Sequence, residues 1–133
     1  MSEENKEDKT PGRICWHEFI TKDAEQTKKF YSEMFGWQWT TMDMGELGTY
    51  WMMTPPGAEQ PIGGLMEMKG PQWEGVPPHF MNYIAVDDID AAAGKAKALG
   101  ATIKVPPTPI PNVGHFCVLA DPTGAVFSLY KGA

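Results

Sequence analysis

Apolar residues recur at helical spacing in two places, and the stretches around them alternate or run in short blocks. Thr27, Phe30, Tyr31, Met34 and Phe35 stand three and four apart, which predicts a helix packing one face inward. Asp23 or Thr21 can cap its start, Glu25 lies near its positive end, and Gly36 stands where a left-handed residue closes it. From Asp23 to Asp88 is 65 residues, and there the pattern returns. Ile89, Ala92, Ala93, Ala96 and Leu99 form a second inward stripe, closed by Gly100. A half-chain repeat predicts two copies of one supersecondary unit with the working site between them.

Strands are predicted around both helices. Arg13 to Ile20 precedes the first, and Trp37 to Met44, Thr49 to Thr54 and Ile62 to Met68 follow it. Gly63-Gly64 weakens the last of these and marks a bulge or a close backbone approach. Lys69 to Pro78, rich in Gly and Pro, reads as a linker. His79 to Val86 opens the second half, and Thr102 to Val105, Gly114 to Ala120 and Ala125 to Lys131 follow its helix, with a turn at Asp121-Pro122-Thr123-Gly124. Pro106 to Pro111 is too rich in proline for a central strand and suits an edge or a loop. Each half therefore reads β-α-β-β-β, an α+β fold. The domain is expected over residues 12–133, with units about 12–69 and 79–131, behind a flexible polar tail at 1–11.

Composition narrows the partners. The 133 residues suffice for one well-buried core, and 42% hydrophobic with 21% charged residues is ordinary for a globular chain. A net charge of -6 argues against nucleic acid, whose phosphates need Lys and Arg, and against an anionic membrane surface. No apolar run reaches the roughly 20 residues of a membrane-spanning helix, and the N-terminus lacks an apolar signal core. Cys15 and Cys117 fit no metal spacing and are expected reduced and buried, in a cytoplasmic protein.

The order of elements and their motifs resembles the vicinal oxygen chelate superfamily of glyoxalases, bleomycin-resistance proteins and dioxygenases. The matching residues are Asp23 with Phe30-Tyr31 and Phe35-Gly36-Trp37, then Val86-Asp87-Asp88-Ile89-Asp90-Ala91-Ala92, Leu99-Gly100-Ala101 and the Asp121 turn. Cys15-Trp16-His17-Glu18-Phe19 and Ile62-Gly63-Gly64 look closest to the glyoxalase-like subgroup labelled hydroxylases or antigens. The resemblance implies a curved, partly closed mixed sheet with the helices outside, a ligand cavity on its concave face, and homodimerisation as an option.

The resemblance also implies where a metal would sit: on the first and last strand of each unit. Seven residues before Asp23 stands Trp16, seven before Asp88 stands Met81, and seven after Asp121 stands Ser128. Glu67 is the one carboxylate available for a fourth position. Indole offers no lone pair, thioether is too soft and Ser rarely ligates, so no metal and no cofactor are expected. With Trp16 facing the cavity, alternation turns His17 away; the register that the resemblance implies puts Phe116 and Val118 toward the cavity and His115 away from it, while His79 shares parity with Met81.

The cavity expected by alternation is lined by Trp16, Met81, Tyr83, Phe116, Val118, Val126 and Tyr130, with Glu18 and Ser128 as polar points. On Thr49 to Thr54 either Tyr50 with Met52 or Trp51 with Met53 faces it, and Trp51 with Met53 is preferred. Nine methionines and five tryptophans suit an adaptable pocket for a flat or apolar ligand, although such residues are also ordinary core. Glu18 is the candidate for catalysis: an apolar cavity would raise its pKa and fit it for general acid or base work, unless it is hydrogen-bonded and merely orients the wall. Three functions stay open: metal-free binding of a small aromatic or apolar molecule, a metal-independent lyase, isomerase or hydrolase using Glu18 or a tyrosine, and a dimerisation or regulatory module.

Overall fold

The computed structural model describes residues 10–132. Of the expected tail only Thr10 and Pro11 fall within it; the rest lies outside the described residues. Eight strands and two α-helices follow in the order β1 (Ile14–Thr21), α1 (Ala24–Phe35), β2 (Gln38–Asp43), β3 (Thr49–Thr54), β4 (Gly63–Glu67), β5 (His79–Ala85), α2 (Ile89–Ala98), β6 (Thr102–Ile110), β7 (Gly114–Ala120) and β8 (Val126–Gly132). The α+β class and the doubled β-α-β-β-β order are those the sequence predicts. Among the described residues no helix is long and apolar enough to cross a membrane.

The chain packs as two compact units, residues 16–80 and residues 10–15 with 81–132. In unit one the strands lie in the order β2-β3-β4-β1, with β1 and β4 parallel and the other pairs antiparallel. Helix α1 starts where predicted. Asp23 Oδ1 accepts the Gln26 N–H at 3.0 Å, and Gly36 closes the helix at φ 74°. A second carboxylate serves the same end: Glu67 Oε2 accepts the Ala24 N–H at 2.8 Å, so two orphan amides of the first turn are paired with negative charge. Phe19, Ala24, Met53 and Leu65 form the buried core between helix and sheet, with Tyr31, Trp37, Trp39 and Trp51 packed against it.

The inward stripe of α1 is narrower than its spacing predicts. Ala24 is buried and Tyr31 half-buried, but Phe30, Met34 and Phe35 are 55%, 58% and 51% exposed. Residues at 100° intervals around a 12-residue helix cannot all meet one small sheet. Phe30 and Met34 fall on its flank, where Phe30 is held edge-on to Tyr31 at 5.0 Å.

Unit two repeats the plan with β5-β8-β7-β6, β5 and β8 being parallel. Asp88 caps α2 by accepting the Ala91 N–H at 3.0 Å. Ile89 and Ala93 of α2 bury against Cys117, Leu119 and Leu129, whereas Leu99, expected on the stripe, lies beyond the last turn and is exposed. The proline run resolves as part of edge strand β6, whose register against β7 shifts between Ile103 and Thr108. An edge tolerates Pro because a missing N–H there leaves no partner strand unserved. Residues 10–15 join this unit through the Gly12 N–H to Ala85 O bond at 2.8 Å and the Ala85 N–H to Arg13 O bond at 2.9 Å. In the turn between β7 and β8, Asp121 Oδ1 accepts from the Thr123 hydroxyl at 2.7 Å and from the Thr123 and Ala125 amides at 2.8 and 3.1 Å. These bonds, the hydroxyl's foremost, hold the carboxyl below its ordinary value.

Candidate functional site

Strand β1 sorts its residues by alternation. Phe19 enters the core under α1, and His17, on that same side, is exposed. Trp16 and Glu18 point the other way. Glu18 is a carboxylate at only 4% exposure, and its neighbours explain how it is kept. The Tyr50 hydroxyl donates to Glu18 Oε1 at 2.8 Å, and Trp16 Nε1–H donates to Tyr50 Oη at 2.7 Å. An indole, a phenol and a carboxylate thus form one directed chain in which each donor faces an acceptor.

Tyr50 reaches this position because β4 offers no side chain beneath it. Glu18 pairs with Gly64, and Gly64 pairs in turn with Met52, so these three share a row of the sheet. A Cβ on Gly64 would overlap the Tyr50 hydroxyl and ring. The preferred reading of β3 is therefore corrected. Trp51 and Met53 belong to the opposite face: Met53 is in the core with Phe19 and Leu65, and Trp51 packs against it with Lys28 Nζ of α1 4.8 Å from its ring centroid. Tyr50 and Met52 are the β3 residues on the side of Glu18. Four consecutive apolar side chains carry no alternation, so only pairing with β4 decides between the two registers. Of the bulge and the close approach that Gly63-Gly64 can mark, the structure has the close approach, with the Tyr50 side chain over Gly64.

In unit two, Phe116, Val118, Ser128 and Tyr130 lie on the face away from α2, since Cys117, Leu119 and Leu129 occupy the other. Val118 and Tyr83 are the strand partners of Ser128, and Val126, partner of Ala120, is exposed. Ser128 is fully buried, and its hydroxyl donates to Met81 Sδ at 2.8 Å. The Tyr130 hydroxyl donates to Val113 O at 3.1 Å. Burial pushes the Cys117 thiol up from its ordinary value.

Positions that hold ligands in the metal enzymes of the resemblance carry other chemistry here. The Trp16 nitrogen is a donor committed to Tyr50, the Met81 sulfur accepts from Ser128, and Ser128 is a neutral donor. Glu67, the carboxylate weighed for the fourth position, shares the Leu65 side of β4 and caps α1. Of the histidines weighed, His115 is exposed, and His79 Nδ1 is 2.8 Å from Pro77 O. Among the described residues no three His, Cys, Asp or Glu side chains come together. These donors do not fit the divalent cation that the fold would otherwise imply.

The doubled β-α-β-β-β plan defines a class of fold, and the family comparison agrees. The chain belongs to the Glyoxalase/Bleomycin resistance protein/Dioxygenase superfamily, whose model matches residues 13–129. It is 39% identical over 122 residues to "Putative glyoxylase CFP32" of Mycobacterium tuberculosis, a match covering 92% of this chain and 45% of the relative. It is 25% identical over 135 residues to the anthracycline biosynthesis protein DnrV of Streptomyces peucetius, covering 91% and 47%. The chain thus spans about half the length of the curated relatives it matches. Among solved structures, a Streptomyces coelicolor methylmalonyl-CoA epimerase superposes with a TM-score of 0.67 at 19% identity, covering 93% of this chain and 99% of the other. Protein BH1468 of Bacillus halodurans superposes at 0.68 with 14% identity, covering 93% and 96%. At such identities the likeness is one of fold.

Proposed function

We propose that this chain binds a small aromatic or apolar molecule against the face of unit one that carries Trp16, Tyr50 and Met52, without the metal of its family's metal enzymes. The observation that carries this reading is the Trp16–Tyr50–Glu18 chain, which puts an indole donor where the resemblance puts a metal ligand. Aromatic walls with one buried polar group are the usual make-up of a small-molecule site. Relatives named for glyoxylase and for anthracycline biosynthesis are consistent with small-molecule chemistry.

Titration with the aromatic probe anilinonaphthalene sulfonate, read by tryptophan fluorescence, should saturate, and Trp16→Ala should weaken binding about ten-fold or more. Metal analysis of the purified protein should find no stoichiometric divalent ion. A tightly held equimolar ion, or a probe indifferent to Trp16→Ala, would sink the reading.

One observation favours a second reading, acid–base catalysis. A buried carboxylate hydrogen-bonded to a phenol is equipped to hold and pass a proton. Turnover of a screened substrate that is lost in Glu18→Gln while probe binding persists would favour it.

A further inference from the structure

The aromatic core of unit one comes to the surface. Phe80, Phe19, Tyr31 and Phe30 form a run of rings with centroids 4.1, 4.7 and 5.0 Å apart. Phe19 is buried, but Phe80 and Phe30 at the two ends are 62% and 55% exposed, and Met34, one turn along α1 from Phe30, is 58% exposed. An apolar patch of this kind marks a contact surface. Charged groups border it in a definite order. Seen down α1, Met34 lies on one side of Phe30, and Lys29 and Glu33 lie on the other. Lys29 Nζ is 2.8 Å from Glu33 Oε2, and both side chains are mostly exposed, so each can turn to a new partner at little cost.

We propose that this flank of α1 is where two copies of the chain meet, their α1 helices antiparallel about a two-fold axis level with Tyr31 and Ser32. The residue order of the flank is what selects a second copy. Reversing a helix exchanges the ends of each i,i+4 pair, while the two-fold axis keeps like sides of the contact stripe facing each other. Lys29 then meets Glu33 of the second copy, twice by symmetry. Phe30 meets Met34 of the second copy, also twice, as ring against thioether. An unrelated protein would have to carry the same charges and apolar groups in the same order to fit as well. The helix also has no net charge, Glu25 and Glu33 balancing Lys28 and Lys29, so the copies meet at a neutral surface although the chain carries -6. Each unit keeps its own buried core, so the pairing is a reversible association of folded chains and leaves the stability of dilute protein as it is.

Sedimentation equilibrium of the full chain over a concentration series tests this. Wild type should associate to a dimer below about 1 mM. Phe30→Glu should weaken the association about ten-fold or more. Lys29→Glu and Glu33→Lys should each weaken it comparably, since each sets like charges opposite one another at two places. An equimolar mixture of these two charge variants should form a mixed dimer with about the wild-type affinity. Neither variant regains the ion pair inside its own helix, so recovery in the mixture reports contact between chains alone. The mixture also decides the matter should Phe30→Glu fail to fold. Wild type that stays monomeric at about 1 mM, a dimer indifferent to Phe30→Glu, or a mixture that pairs no better than its components would overturn the proposal.

Discussion

Gly64→Ala tests the geometry of the site without touching any of its polar groups. The three atoms nearest the added methyl all belong to Tyr50, and the overlap is too deep to absorb by small shifts. The backbone of Gly64 is outside the left-handed region, so alanine itself is unstrained there. Tyr50 must therefore swing away on its two side-chain torsions, giving up its bond to Glu18 and its bond from Trp16. Losing a hydrogen bond to a buried carboxylate costs about 1.5–3 kcal/mol and losing the neutral one about 1 kcal/mol. A net loss near 3 kcal/mol would lower Tm by roughly 10 °C for a chain of this size. A double-mutant cycle separates this from any other effect. In a Tyr50→Ala background the overlap has gone, and the substitution should be neutral or stabilising by up to about 1 kcal/mol, since alanine restrains the unfolded chain. Thermal or urea denaturation of the four proteins measures the coupling. Equal destabilisation by Gly64→Ala with and without Tyr50 would refute the reasoning. Gly63→Ala is the control, because its methyl would meet the His17 carbonyl oxygen and the Met53 methyl at 2.5 Å and should not be rescued by Tyr50→Ala.

Other expectations concern the frame around the site. Asp121 has its pKa lowered on folding, so its contribution to stability is full above the ordinary value of 3.8 and is lost as pH falls through the lower folded value. Asp121→Asn should therefore differ from wild type in Tm near neutrality and converge with it in acid; a gap that persists at the lowest pH at which the protein stays folded would contradict this. Cys117, fully buried and with its pKa raised, should resist alkylation at mildly alkaline pH and react once the chain is unfolded in denaturant. On α1, Phe30→Lys or Met34→Lys should change stability by less than about 0.5 kcal/mol, while Phe19→Ala should cost about 3–5 kcal/mol. Comparable losses from both would mean that the exposed flank is packed in solution.

Wherever local chemistry decides the structure, the sequence was readable. Asp23 and Asp88 cap their helices because the side chain and the amides it serves lie within three residues of each other. Gly36 ends α1 because few other residues tolerate φ 74°. On β7 the apolar run Phe116 to Ala120 shows no alternation of its own, and the face of Phe116 and Val118 came from the register that the family resemblance implies. Reading failed where one strand depends on another. Tyr50-Trp51-Met52-Met53 is apolar throughout, so which face each residue takes is set by the partner of Met52, Gly64, and not by β3 itself. Glu67 is the one carboxylate near a fourth ligand position, and its side of β4 cannot be read from β4 alone; it shares the Leu65 side and accepts the Ala24 amide at the start of α1. The proline run, which suits an edge or a loop, lies on edge strand β6, as its missing N–H groups require.

The two faces of β3 are decided at one place in the chain. Gly63 and Gly64 leave β4 bare on both faces, and β3 fills both: Met53 reaches over Gly63 on the core side, and Tyr50 reaches over Gly64 on the other. The same pair of glycines thus tightens the core beneath α1 and seats the phenol against Glu18. A substitution at either one changes what β3 can deliver to its face, although neither glycine carries chemistry. The polar chain begins at Trp16 and ends at Glu18, two residues apart on the same face of β1, with the Tyr50 hydroxyl between them. Tyr50 reaches them from the other side of β4, across Gly64, where a side chain would overlap its ring and hydroxyl. The character of this face therefore rests as much on the bare backbone at Gly64 as on the buried carboxyl group of Glu18.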